Sequence, residues 1–246
     1  VLEQLLENSK VAHDDRVPLC QDTGTVWVCL ELGRDDCSLA TDPFTDVDAA
    51  VARAYEAGKL RKSTLRDALV DRSNPGDNTP AFTELKFVEG RGAKLHLMLK
   101  GGGSDNASVV EMLAPGAGWE GVRDVVLKRV AKKASSACPP LVVGVGVGST
   151  FDKVAGLAKH ALLRPVGEPA RDERVAAYEA ELLDAINAMG IGAGALGGST
   201  TALCCHIETA PCHIAALPVA VNMGCSAMRS VSVDLERYVE TGELPW

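Results

Sequence analysis

The hydrophobic and polar positions of this chain follow two periods, one typical of helices and one typical of strands. Helical spacing covers residues 1–13, "FTDVDAAVARAYEAGKL", "WEGVRDVVLKRVAKKASSA", "STFDKVAGLAKHALLR" and residues 172–189. Strand patterns cover "TVWVCLELG", "LVVGVGVG" and "PVAVNMGC". Because helices and strands alternate without a repeat or a linker, the sequence predicts an α/β fold of mixed sheets flanked by helices. We expect one domain over residues 1–246, with two lobes as the alternative.

Three further segments have weaker patterns. "TELKFVEGRGAKLHLMLKGGG" has two alternating stretches around "EGRGA", which predicts a β-hairpin. "GIGAGALGGSTTALCCHIE" predicts a glycine-rich loop that leads into a strand, and residues 61–82 end in a turn-rich loop. For "SVSVDLERYVETGELPW" we favour a surface strand and turn over a partner-facing edge. "VGVGSTFDK" has neither G-x-G-x-x-G nor a P-loop lysine, so a nucleotide site is not expected there.

Charge and hydropathy argue against two classes of protein, nucleic-acid-binding and membrane-spanning. The 246 residues contain 25 Lys and Arg against 33 Asp and Glu, a net charge of −8, which argues against non-specific nucleic-acid binding. The apolar runs are shorter than the roughly 18–20 residues that cross a bilayer, and the acidic amphipathic start is not typical of a signal peptide. We therefore expect a cytoplasmic protein without a membrane or nucleic-acid partner.

The eight cysteines fall into different contexts. They stand at positions 20, 29, 37, 138, 204, 205, 212 and 225, without a C-x-x-C pair. Cys29, Cys204 and Cys205 lie in apolar strands and fit a core, and Cys37 falls in a predicted exposed turn. The three that end a regular element beside Gly, Pro or a polar turn are Cys20, Cys138 and Cys225. Three thiolates could hold an iron–sulfur cluster with one open iron, although spacing alone leaves four-ligand and metal-free alternatives open.

Five ordered motifs resemble a known family from about residue 5 to residue 229. They are "PLCQDTG", "NTPA", "KGGGSDN", "ACPPLVVGVGVGSTFDKVAGLAKHALLR" and "GALGGSTTALCCHIETAPCHIAALPVAVNMGC". In this order they are similar to the α-subunit, or N-terminal cluster-binding domain, of class I fumarate hydratase and L(+)-tartrate dehydratase. The resemblance implies an iron–sulfur hydro-lyase.

The resemblance also implies a role for individual residues. Cys20, Cys138 and Cys225 would bind a [4Fe–4S] cluster whose fourth iron faces the substrate, and Cys212 would be incidental. Asp22 would act in acid–base chemistry, and Gln21 would hydrogen-bond the substrate.

The remaining implied residues lie elsewhere in the chain. His213, in "PCHIAALP", would be catalytic, although a lone histidine is more often structural. Arg61 would bind a substrate carboxylate, with Lys62 and Arg66 as alternatives. The backbone amides of Gly102 and Gly103 would approach the substrate, or the glycines simply form a flexible exit from the hairpin.

The expected reaction is reversible hydration of fumarate to malate, with L(+)-tartrate dehydration to oxaloacetate as the runner-up. The family's complete site also draws Thr, Arg and Lys residues from a second domain or subunit that is not recognised here. The resemblance therefore implies a β-subunit partner, a hetero-oligomer and an oxygen-sensitive cluster. A non-enzymatic electron-transfer protein remains an alternative, and it would need a fourth ligand such as Cys212 or Cys37.

Overall fold

The computed structural model describes residues 1–36, 39 and 41–245, and it divides into two compact units. The N-terminal unit comprises residues 8–101 and the chain from Met228 onward, and the central unit comprises residues 1–7 and 102–227. Each unit contains one four-stranded sheet with both parallel and antiparallel pairs. The predicted class of mixed sheets flanked by helices is confirmed.

The regular elements of the described residues follow in one alternating order. They are α1 (Leu2–Asp14), β1 (Thr25–Gly33), α2 (Val47–Ala57), β2 (Phe82–Val88), β3 (Ala93–Lys100), α3 (Gly102–Asp105), β4 (Val109–Leu113), α4 (Gly118–Lys133), β5 (Leu141–Ser149), α5 (Phe151–Ala161), α6 (Glu173–Ala188), β6 (Ala202–Cys212), β7 (Leu217–Gly224), β8 (Arg229–Asp234) and α7 (Leu235–Thr241). In that part of the chain, no helix has the length and apolar character needed to cross a bilayer.

The N-terminal sheet has the strand order β2-β1-β3-β8. One face packs against α2, where Val26 and Val28 of β1 meet Val51 and Tyr55. The strand at the chain end is confirmed as the edge strand β8, but a helix, α7, follows it in place of the predicted turn.

The prediction that β2 and β3 form a β-hairpin is wrong, because the two strands are not neighbours in the sheet. β1 lies between the two strands and pairs with β2 in parallel and with β3 in antiparallel orientation. The connection between β2 and β3 passes the end of β1, where the Gly33 amide donates to the Gly92 carbonyl at 2.8 Å. Alternation along β2 and β3 predicts which side chains share a face, but it does not predict the neighbouring strand. β1 is the more apolar strand, and the central position buries it.

The central sheet has the order β4-β7-β5-β6, with β5 and β6 parallel and β5 and β7 antiparallel. Successive residues of a strand point to opposite faces. One face, with Val143 and Val145, packs in the main core together with α4 and α6. The other face packs against α5 through Val154 and Ala158.

The alternating glycines of β5 make room for α5. A Cβ atom on Gly144 would lie 2.2 Å from the Ala158 carbonyl oxygen, and one on Gly146 would lie 2.4 Å from the Val154 carbonyl oxygen. Real side chains do not come this close, so the helix backbone rests directly on the strand. The glycine pattern "VGVGVG" therefore has a packing role.

Candidate active site

The "PLCQDTG" segment forms the loop that leads into β1. Its Cys20 thiol is half-buried and donates to Gln21 Oε1 at 3.4 Å, while Gln21 itself is exposed. The Asp22 side chain is 27 % exposed, and its Oδ1 accepts the Gly24 amide at 3.0 Å. Gly24 has φ +79°, and a Cβ atom there would lie 2.8 Å from the Lys100 carbonyl group. The loop thus presents a thiol, an amide and a carboxylate in succession on a fixed backbone.

Three consecutive carbonyls of this loop, at residues 22–24, each accept a hydrogen bond from a distant side chain. The Tyr55 hydroxyl donates to the carbonyls of residues 23 and 24 at 2.9 and 3.1 Å. Asn78 Nδ2 donates to the carbonyl of residue 24 at 3.2 Å, and Arg229 Nη1 donates to that of residue 22 at 3.0 Å. Burial raises the pKa of Tyr55, which keeps its hydroxyl protonated as a donor. The sequence predicts none of these contacts, although Asn78 belongs to the "NTPA" motif.

Arg61 lies beside Asp22. Its Nη2 atom is 3.9 Å from Asp22 Oδ1, and its side chain is 59 % exposed. Its carbonyl accepts the Thr23 hydroxyl at 2.5 Å, and its Nε donates to Ser63 Oγ at 3.4 Å. The backbone of Arg61 is therefore fixed to the loop, while its guanidinium group faces solvent and can bind a carboxylate.

Asn78, from the "NTPA" motif, connects the Arg61 segment to the cysteine loop. It is fully buried, and its Oδ1 accepts the amides of Ser63 and Thr64 at 2.6 and 3.2 Å. Its Nδ2 donates to the Gly24 carbonyl. One side chain thus holds both segments in register.

In the central unit, the structure brings Cys138 and Cys225 to the same end of the sheet. Cys138 is exposed and has φ 54°, immediately after the 3-10 turn Ala134–Ala137. Cys225 is half-buried, and the amide of the next residue, Ser226, donates to the Cys138 carbonyl at 2.9 Å. A left-handed conformation at a non-glycine residue is unfavourable, and such residues cluster at functional sites.

Gly102 and Gly103 lie near this pair. Both are exposed at the start of α3. A Cβ atom on Gly103 would lie 3.2 Å from the carbonyl oxygen of Ser136, which precedes Cys138 by two residues. The structure therefore places the glycine segment next to the turn that carries Cys138.

His213 lies at the other end of the central sheet. The residue before it, Cys212, pairs with Ser149 at the end of β5, whereas Gly224, which precedes Cys225, pairs with Val142 near its start. Seven residues of strand separate these ends, a distance of about 23 Å. His213 is exposed, and its Nδ1 accepts the Ala215 amide at 3.1 Å. Within one chain, neither His213 nor the Cys212 thiol joins Cys138 and Cys225.

The three strand cysteines are buried, as predicted. Burial, followed by the carboxylates of Glu84 and Glu31, raises the pKa of Cys29 to about 12. Burial raises the pKa of Cys204 to about 11 and that of Cys205 still further. Burial thus favours the neutral thiol at these three positions, and the side chains pack as small apolar groups. Cys37 lies outside the described residues.

The accessible donors fit an iron–sulfur cluster. Cys138 and Cys225 are accessible thiols on adjacent segments, and Cys20 is an accessible thiol on a fixed loop. Sulfur donors from separate segments are the ligands that iron–sulfur clusters take. Two of these thiols lie in the central unit, and the third lies in the N-terminal unit on the loop that also carries Asp22 beside Arg61.

A comparison with known families identifies the chain. The sequence profile of the fumarate hydratase (Fumerase) family matches residues 1–234. The chain belongs to the fumarate hydratase family. As a member of that family it is a hydro-lyase.

Named relatives of this fumarate hydratase family member support the same conclusion. A protein of Methanocaldococcus jannaschii, provisionally named L(+)-tartrate dehydratase subunit alpha, is 40 % identical over 93 % of this chain and 81 % of its own length. The L(+)-tartrate dehydratase subunit alpha of Escherichia coli strain UTI89 is 31 % identical over 93 % of this chain and 76 % of its own length. The strain K12 protein of the same name is 30 % identical over the same shares.

Proposed function

We propose that this chain is the cluster-binding α-type subunit of a cytoplasmic hydro-lyase that interconverts fumarate and malate. The observation that carries the proposal is the hydrogen bond from the Ser226 amide to the Cys138 carbonyl at 2.9 Å, which brings two predicted ligand cysteines together. The family profile, described as fumarate hydratase, supports the choice of substrate.

Cys138 and Cys225 would hold a [4Fe–4S] cluster together with Cys20. When bound by three thiolates, such a cluster supplies an open iron that acts as a Lewis acid on a hydroxyl and a carboxylate oxygen of the substrate. Cys212 does not serve as a fourth ligand in this proposal, since it lies at the far end of the central sheet from Cys138 and Cys225.

The residues of the N-terminal loop would bind the substrate and move its proton. Arg61 pairs with one carboxylate through its exposed guanidinium, and Gln21 hydrogen-bonds the substrate through its exposed amide. Asp22 exchanges the proton at the carbon next to the hydroxyl-bearing carbon, with its carboxylate held by the Gly24 amide.

Gly102, Gly103 and His213 complete the proposed set. A substrate carboxylate would approach these two exposed glycines without meeting a Cβ atom. Because about 23 Å of strand separates His213 from the Cys138 end, a catalytic role for His213 requires the site of a different chain in the assembly.

Tartrate dehydration is the second candidate. It is favoured by the names of the curated relatives, which are L(+)-tartrate dehydratase α-subunits. Those names also support a separate β-subunit, which would complete the active site in a hetero-oligomer. Residues 1–246 would then form a single hydro-lyase domain of the α-type subunit.

The test combines cluster content with substrate choice. After anaerobic reconstitution with the β-type subunit of the same organism, we expect about four irons per chain and saturable turnover of malate and fumarate. Asp22→Asn should lower kcat by about 10²- to 10⁴-fold with unchanged iron content. Asp124→Asn, an exposed carboxylate on α4, is the matched control and should leave both unchanged.

The outcomes separate the candidates. Turnover of L(+)-tartrate alone would establish the second candidate in place of the first. Bound iron with a spectrum that ignores every dicarboxylate would instead indicate electron transfer. A chain that binds no iron would rule out both hydro-lyase candidates as stated.

A further inference from the structure

The loop between Arg66 and Ser73 carries two aliphatic side chains at its tip that are almost fully exposed. Leu69 is 87 % exposed and Val70 is 90 % exposed. We call this pair the apolar tip. Single exposed aliphatic residues are common, but two neighbours that both remain this exposed form a small contiguous apolar surface.

The apolar tip is held in one conformation by polar contacts. Asp67 Oδ1 accepts the amides of Leu69 and Val70 at 2.7 and 2.5 Å. These backbone hydrogen bonds lower the pKa of Asp67, which keeps the acceptor charged. Arg72 Nη1 donates to the carbonyl of Ala68 at 2.6 Å. The loop is therefore ordered without burying its own apolar residues, so that a partner that binds them does not have to order the loop first.

The base of the loop is joined to the candidate site. Asn74 Nδ2 donates to the Lys62 carbonyl at 2.9 Å, which closes the loop one residue after Arg61. On the other side, Asn78 binds the amides of Ser63 and Thr64. A partner seated on the apolar tip would therefore be attached to the segment that positions Arg61.

We propose that the apolar tip is a docking anchor for the β-type subunit, with Leu69 and Val70 inserted into an apolar pocket of that subunit. This inference rests on the proposed function. Two observations select the occupant: the relatives are named α-subunits, and the loop continues directly into the Arg61 segment. A four-carbon dicarboxylate has two carboxylates, so a partner placed beside Arg61 can supply the second cationic contact.

The experiment measures binding of the purified β-type subunit of the same organism to the full chain by isothermal titration calorimetry. Leu69→Asp/Val70→Asp should raise the Kd at least about 30-fold, the effect of one interface hot spot. Asp67→Ala keeps both aliphatic side chains but loosens the loop, and it should raise the Kd by about 3- to 10-fold. Leu69→Ser/Val70→Ser is a milder change that should still raise the Kd more than about tenfold. It replaces the aspartate variant if that variant fails to fold.

The matched control is Leu196→Asp/Val239→Asp, which alters a leucine and a valine that are 77 % and 83 % exposed. It should change the Kd by less than about threefold. Equal losses in the control and the tip variants, or no loss in the tip variants, would overturn the inference. Self-association of the wild-type chain that only the tip variants abolish would assign the tip to a second copy instead. If the wild-type chain itself does not bind the β-type subunit, the proposed function fails first, and the two failures remain distinguishable.

Discussion

Cys204 and Cys205 lie within β6, whereas Cys138 and Cys225 lie just outside β5 and β7 in the same central unit. The first pair is buried and its pKa values are raised by burial. The second pair lies at strand ends, where one thiol is exposed and the other half-buried. The central unit thus contains two populations of thiol, one within a strand and one just beyond strand ends.

Position relative to a strand therefore determines whether a cysteine of this unit is buried or available as a ligand. A thiol inside the sheet stays neutral and acts as a small apolar side chain. A thiol at a strand end is presented on a backbone that the sheet holds rigidly, which is what a ligand site requires. The following predictions test this contrast in order of expected effect.

Serine substitution should separate the two populations most strongly. Cys138→Ser and Cys225→Ser should lose the reconstituted cluster and lower turnover by more than about 100-fold, because even a residue that only orients a ligand is worth 10–100-fold. Iron content and initial rate are the measurements. Cys205→Ser is the matched control, which should keep the full iron content and lose only stability. Loss of iron in this control would show that the buried strand cysteines also contribute to cluster binding.

Alkylation of the cluster-free chain should show a smaller, pH-dependent contrast. At pH 8 iodoacetamide should modify Cys138 and leave Cys204 unmodified, since with a pKa of about 11 only about one Cys204 thiol in a thousand is ionised. Because the unfolded thiol ionises near 9.0, folding stability should fall as pH rises from about 9 to 11. Peptide mass spectrometry and chemical denaturation measure the two effects. Modification of Cys204 at pH 8 as fast as Cys138 would contradict the prediction.

Removal of one hydroxyl from the N-terminal unit should have the smallest effect. Tyr55→Phe removes the side-chain donor of the residue 23 carbonyl and leaves only Asn78 to donate to the residue 24 carbonyl, which should cost about 1 kcal/mol of unfolding free energy. It should lower kcat more than it raises KM, since the hydroxyl orients the Asp22 loop without touching substrate. Tyr238→Phe, on α7, is the control and should change neither value. An unchanged kcat in Tyr55→Phe would show that the loop keeps its conformation without this contact.

Much of this architecture could be predicted from local patterns. The apolar run of β5, the helical spacing of α4 and α6, and the strand-end position of Cys138 and Cys225 are all visible in the sequence. The structure confirms the elements because each pattern reports which face of a segment is buried.

Contacts between distant segments could not be predicted in the same way. The insertion of β1 between β2 and β3 depends on which strand is best buried at the centre, and alternation does not encode this. Tyr55, Asn78 and Arg229 bind the carbonyls of residues 22–24 from 31 to 207 positions away, and even where the residue stands in a motif, as Asn78 does, local sequence does not reveal the distant partner. The separation of His213 from the cysteine pair follows from the parallel register of β5 and β6.

The hydrogen bond between the Ser226 amide and the Cys138 carbonyl has a consequence for damage and repair. It joins two main-chain groups and involves neither thiol. A chain stripped of its proposed cluster by oxygen would keep these two ligands side by side. Reloading with iron and sulfide would then restore the proposed centre without refolding of this segment. Oxidative damage to the cluster would therefore be reversible.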